Sequence, residues 1–165
     1  MIGIYLIGSF SIAIGLFFSK NKNLTVGLLG LFLVLQWILT FYGINNIRSN
    51  DFGYFTYDSL AILLLIVISI IAVPAMFHSH IYLNDQPAPP ETRSIYYGAI
   101  VMLITAISAG YLANHIAVIW IFTEITTLSA SALIYHHRNK LALEGTWKYV
   151  FICAISITFV FIGIL

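Results

Sequence analysis

Residues 94–135 read SIYYGAIVMLITAISAGYLANHIAVIWIFTEITTLSASALIY, 42 residues with one formally charged side chain, Glu124. As a single helix at 1.5 Å per residue the stretch would extend about 63 Å, roughly twice the ~30 Å hydrocarbon core of a bilayer. It is too apolar for a water-facing surface and too long for one crossing. Gly110 and Asn114-His115 mark its midpoint, so the stretch is predicted to fold as a tight helical hairpin with spans near 95–112 and 115–135.

The same ruler of about 20 apolar residues per crossing applies to the rest of the chain. It gives further spans near 2–19, 24–43, 57–80 and 146–165. Polar or turn-forming runs separate them: Ser19-Lys20-Asn21-Lys22-Asn23, Asn45 to Asp51, Asn84 to Pro90, and His136-His137-Arg138-Asn139-Lys140. Of the 165 residues, 61% are hydrophobic and 8% charged, with a mean hydropathy of +0.98, against about 25% charged in soluble domains. The expected fold class is therefore an all-α integral membrane protein of about six transmembrane helices, with residues 1–165 as a single transmembrane domain. Lipid offers no partner to an unpaired backbone group, so spans must be helices or closed barrels. The unbroken apolar runs, without alternation, argue against a barrel. Ile2 to Phe18 has no preceding charge and is followed by Lys20 and Lys22, the reverse of a secretory signal, and reads as a retained first span.

Basic residues orient such a bundle. With six spans, Lys20, Lys22, Arg93, Arg138, Lys140 and Lys148 fall on one side and only Arg48 on the other. That side is expected to be the cytoplasm, with both termini outward and the chain in the cytoplasmic (inner) membrane. Tyrosines and tryptophans near the predicted interfaces, among them Trp37, Tyr42, Tyr96 and Trp147, read as an aromatic belt. The lipid bilayer is the evident partner. A net charge of +1 gives no pull toward nucleic acid.

Glu124 lies about ten residues from either end of its span, roughly 15 Å from each interface. A charged acid there costs at least ~2.5 kcal/mol and is too short to reach the headgroups as lysine or arginine does. Thr127 and Ser131 follow at i+3 and i+7, on the same helix face. Apolar surroundings incline a carboxyl to keep its proton and a nearby cation draws it off, so the stripe suits a proton or ion relay; its structural alternative is a protonated interhelical contact. Lys148 opens the sixth span, either as an interfacial anchor paired with Glu144 four residues earlier or as an inward partner of Glu124. His78, His80, His115, His136 and His137 all fall near interfaces, where a polar end residue needs no special role, and Pro74 is expected to kink the third span. Cys153 stands alone in an apolar run, so no disulfide or cysteine metal site is expected. No phosphate loop, nucleophile–base pair, metal-ligand spacing or cofactor motif occurs; the expectation is a non-catalytic subunit with no cofactor and no metal of its own.

Trp120 to Ala130, followed by Ala142-Leu143-Glu144-Gly145-Thr146-Trp147-Lys148-Tyr149, resembles the proton-translocating antiporter-like subunits of respiratory complex I, Mrp-type Na⁺/H⁺ antiporters and membrane-bound [NiFe] hydrogenases, hydrogenase-4 component F above all. Tyr57-Asp58-Ser59-Leu60 opening the third span is similar too, while Gly145 stands where relatives more often carry alanine. The resemblance implies that Glu124 is the proton-carrying glutamate of the fifth helix and that Lys148 is its partner. Thr127 and Ser131 would support a water chain. It further implies membrane subunits of a hydrogenase or dehydrogenase complex as partners, holding the redox cofactors. Family members have about fourteen helices, so the chain is expected to be an amino-terminal portion that does not pump ions by itself. An Mrp-type antiporter subunit without a redox partner, and a purely structural membrane subunit, are the alternatives.

Overall fold

The computed structural model describes residues 1–19, 21–85, 90–137 and 139–164, with backbone alone at 84, 85, 90, 91, 137 and 164. Of the residues used above for spans and charge, Lys20, Gln86 to Pro89, Arg138 and Leu165 lie outside the described set. The elements in order are α1 (Ile2–Phe18), α2 (Lys22–Asn45), a two-stranded hairpin of β1 (Asn50–Asp51) and β2 (Phe55–Thr56), α3 (Ser59–Asp85), α4 (Pro90–Leu112), α5 (Ile116–Ile134), a 3-10 turn at Tyr135–His137, and α6 (Lys140–Ile164). Among the described residues, five helices are long and apolar enough to cross a bilayer, and α1 is a shorter apolar helix. The chain is a multi-pass membrane protein built as an all-α bundle of about six helices. Its helices are apolar around most of their circumference, as expected where one side meets protein and the other lipid.

Several boundaries differ from the sequence expectation. Proline opens α4 at Pro90, where its fixed φ suits the first turn and its missing N–H leaves nothing unpaired. The third helix continues through Pro74 and reaches Asp85. The sixth begins at Lys140, six residues before the expected 146, because the Asn139 side-chain oxygen accepts the Ala142 N–H at 2.6 Å and caps the first turn. Lys148 therefore stands two turns inside its helix.

Helix α4 forms the centre of the bundle, packed on α1, α3 and α5, while α6 joins at the edge through α5. Within its apolar window 61% of α4 is buried, against 0% for α6. The core between α1, α2, α3 and α4 includes Ile12, Leu16, Phe32, Met76, Val101 and Ile104. A second group, Tyr5, Leu39, Tyr57, Leu65 and Leu112, fills the end nearer the hairpin. At the opposite end the Ser94 hydroxyl donates to the Ser19 carbonyl at 2.7 Å, tying the start of α4 to the end of α1.

The β hairpin closes its own end of the bundle. Asn50 pairs with Thr56 and Asp51 with Phe55, around a turn in which Phe52 and Gly53 both take positive φ (56° and 73°). The Asn114 N–H donates to the Tyr54 carbonyl at 2.7 Å and Phe55 bridges to Ala113, so the hairpin grips the α4–α5 turn. Asp51 Oδ2 accepts from the Met1 ammonium at 2.6 Å, the Ile2 N–H at 3.2 Å and the Tyr57 hydroxyl at 3.2 Å. The terminal ammonium is the largest reason that the Asp51 carboxyl is held below the usual carboxylate range.

Candidate proton-relay site

Helix α5 starts where the His115 ring nitrogen Nδ1 accepts the Ala117 N–H at 3.3 Å, a capping role that explains this histidine. Eight residues after Ile116 stands Glu124, about 12 Å along the axis. As a residue Glu124 is half-buried. The Thr127 hydroxyl donates to the Glu124 carbonyl at 2.9 Å and lies 3.4 Å from carboxylate Oε2. Ser131 donates to the Leu128 carbonyl at 2.7 Å, Thr123 to Ile119 at 2.8 Å and Thr126 to Thr123 at 2.6 Å. Each hydroxyl proton is thus turned onto α5's own backbone, which leaves the oxygen lone pairs to accept from water or a neighbouring donor.

At 100° per residue, Thr127 and Ser131 lie within about 60° of Glu124 around α5. Phe122 and Ser129, the buried residues of the helix, lie some 140–160° away and face α4, where Phe122 packs with Ala106 and Ala109. Leu128, one turn beyond Glu124, is 57% exposed. Trp120, one turn before it, meets Phe161 of α6 with ring centroids 5.1 Å apart. The polar stripe therefore runs along the α6 flank of α5 and turns away from α4.

Lys148 and Glu124 lie at similar heights. Glu124 is ten residues before Ile134 and Lys148 eight after Lys140, which puts them about 15 Å and 12 Å from the end they share. They are not brought together. The Lys148 ammonium pairs with Glu144 at 2.5 Å, one turn back, with both side chains well exposed (70% and 59%). Around α6, Lys148 lies about 140° from Phe161, on the side turned away from α5.

The other histidines gather with tyrosines at the end of the bundle opposite the hairpin. His136 is buried, its ring 4.9 Å from Tyr96 and 5.8 Å from Tyr82. His78 lies against Tyr82, and His80 Nδ1 is 3.5 Å from the Tyr97 hydroxyl. The side chain of His137 lies outside the described residues. Among those described, no three His, Cys, Asp or Glu side chains approach one another as a metal-ligand group would.

Sequence reasoning missed a buried polar cluster around Gln36. The Tyr5 hydroxyl donates to Gln36 Oε1 at 2.6 Å, and Gln36 Nε2 donates to Ser69 at 3.1 Å and Ser108 at 3.0 Å. Thr40 Oγ1 lies 2.8 Å from Ser69 Oγ. The cluster joins α1, α2, α3 and α4, with Gln36, Ser69 and Ser108 at 0% exposure. A lone glutamine inside an apolar span was the available signal, because polar side chains there hold helices together.

The chain is similar, at low identity, to two kinds of known protein. It is 24% identical over 67% of its length to a hydrogenase-4 component F homolog of Methylacidiphilum infernorum, covering 24% of that protein. It is 23% identical over 99% of its length to NADH-quinone oxidoreductase subunit N of Blochmanniella floridana, and 27% over 88% to that of Helicobacter hepaticus, covering 32% and 29% of those proteins. The chain thus spans a quarter to a third of the length of these relatives. No family model matches it, and no solved structure does. These homologues cover most of the chain at low identity, and the antiporter-like subunit family, which the residues around Glu124 and Lys148 resemble, fits them.

Proposed function

We propose that the chain is part of a membrane subunit that moves protons, or sodium ions, across the bilayer as one component of a redox complex. The observation that carries this reading is Glu124: an acidic residue midway along α5, half-buried as a residue, with Thr127 beside it and Ser131 on the same face. An acid held at that depth is costly, and such residues mark ion pathways. The names of the relatives, a hydrogenase component homolog and a quinone oxidoreductase subunit, support a redox complex as the setting. Electron transfer would belong to other subunits.

In this reading Glu124 takes up and releases the transferred proton. Thr127 and Ser131 offer acceptor lone pairs to a water chain. Lys148, at a similar height on α6, supplies a positive charge whose movement or neutralisation biases Glu124, acting across helix α6 because it does not face α5. The basic end of the bundle would lie at the cytoplasmic face of the inner membrane, with the hairpin end outside.

The test is ion pumping by the intact complex carrying Glu124→Gln, which keeps the shape of the side chain and removes its titratable proton. Coupled translocation is expected to be lost while assembly is normal. Normal assembly with unchanged pumping would overturn the relay role.

A further inference from the structure

The Gln36 cluster has a defined direction. The Ser69 hydroxyl has two acceptors for its one proton, the Leu65 carbonyl at 2.7 Å and Thr40 Oγ1 at 2.8 Å, so toward Gln36 it accepts. That fixes the amide with Nε2 toward Ser69 and Ser108 and Oε1 toward Tyr5, and it makes the Tyr5 hydroxyl the donor in their 2.6 Å contact. Every one of these groups is buried, and an orphaned partner there would find no bulk water to replace the lost bond.

The level and neighbours of this cluster connect it to the candidate site. Counted from the hairpin end, Gln36 is nine residues from Asn45, Ser69 ten from Ser59 and Glu124 eight from Ile116, depths of about 14, 15 and 12 Å. Ser108, held by Gln36, is followed directly by Ala109 and Gly110. Ala109 packs against Phe122, and a methyl group on Gly110 would stand 3.7 Å from the Phe122 side chain. Helix α4 thus has two adjoining faces: a polar one clamped to α1, α2 and α3, and a small-residue one on which Phe122 seats α5. A rotation of α4 that broke the first contact would carry the second with it.

We propose that Gln36 is a positioning residue for Glu124. Its amide sets the rotation of α4, and α4 sets the rotation of α5 that turns the carboxylate stripe away from the α4 seam. The functional part of this inference rests on the relay reading of Glu124; the geometric part does not.

The experiment uses the assembled membrane complex with Cys153→Ser as background. Glu124→Cys is introduced as a reporter, and its reaction rate with a membrane-permeant maleimide is compared with and without Gln36→Leu. Hydrogen bonds between membrane helices have strengths whose loss corresponds to rate changes of about three- to twentyfold, and a change of that size is expected. In parallel, Gln36→Leu with Glu124 intact is expected to lower ions moved per electron. Ser108→Ala, which removes one partner only, serves if Gln36→Leu fails to assemble, and should act in the same direction. An unchanged labelling rate in either assembled variant overturns the proposal, whatever happens to pumping. If Glu124→Gln pumps normally, the relay reading falls instead, and the labelling rates still decide the positioning of α5.

Discussion

Gly98 of α4 faces the ring of Phe17 on α1 so closely that a methyl group placed on it would stand 2.9 Å from the ring edge. Here glycine permits close approach of two helices. Phe17 is 45% exposed, so its ring can swing toward lipid. Gly98→Ala should therefore cost no more than about 1 kcal/mol and Gly98→Val about 1–3 kcal/mol. Adding Phe17→Ala should recover most of the loss, as a double-mutant cycle of unfolding in mild detergent would show. An unrelieved cost in the double variant would place the strain elsewhere.

Asp51 makes stability depend on acid. Its folded-state pKa lies below the ordinary carboxylate value, chiefly because of the Met1 ammonium. A depressed carboxyl stabilises the fold above the unfolded-state pKa of about 3.9, and that contribution disappears as pH falls through the lower folded value. The melting temperature of the solubilised protein should thus decline below about pH 4. Asp51→Asn should lower it at neutral pH and flatten the acid limb; identical acid limbs in the two proteins would exclude this origin.

Phe122 seats α5 on α4. Removing its ring leaves a void of roughly 100 Å³, which at ~24 cal/mol per Å³ costs about 2 kcal/mol. The transfer part seen in soluble proteins largely falls away, because a separated helix would leave the ring in lipid instead of water. Phe122→Ala is expected to weaken the α4–α5 seam by that amount, and Phe122→Leu by less. Steric trapping or detergent unfolding would measure both.

Lys148 separates anchoring from relay. Its pair with Glu144, one helical turn back on the outer side of the bundle, joins two residues of the same helix and ties α6 to no other element. Lys148→Met should leave unfolding nearly unchanged. If the lysine biases Glu124, ion movement per electron falls in the intact complex. Full coupling in Lys148→Met would reduce Lys148 to an anchor.

Much of the architecture could be read from apolar run length alone. The break proposed at Asn114-His115 falls where Asn114 bonds to Tyr54 and His115 caps α5, because two spans joined in one apolar run must turn where polar backbone can be satisfied. The start of α6 was missed because its first turn, Lys140 to Leu143, is not continuously apolar; Asn139 was the overlooked signal. The hairpin was hidden by the shortness of its two-residue strands, below any detectable alternation. At the site, the stripe of Glu124, Thr127 and Ser131 follows from helical spacing. The direction in which Lys148 points does not, since it depends on how α6 is rotated against α5. Gln36 has the longest reach of all: its partners Tyr5, Ser69 and Ser108 sit on three other helices, and no local pattern joins them.

The separation of Gln36 and Ser108 has a consequence for biosynthesis. They stand 72 residues apart in sequence, and at synthesis rates of about 5–20 residues per second the amide waits some 4–14 s for its last partner to emerge. During that interval the nascent chain holds a half-satisfied polar group in the bilayer. The first three helices are then open to repacking until the fourth arrives, which makes the entry of α4 the commitment step of assembly.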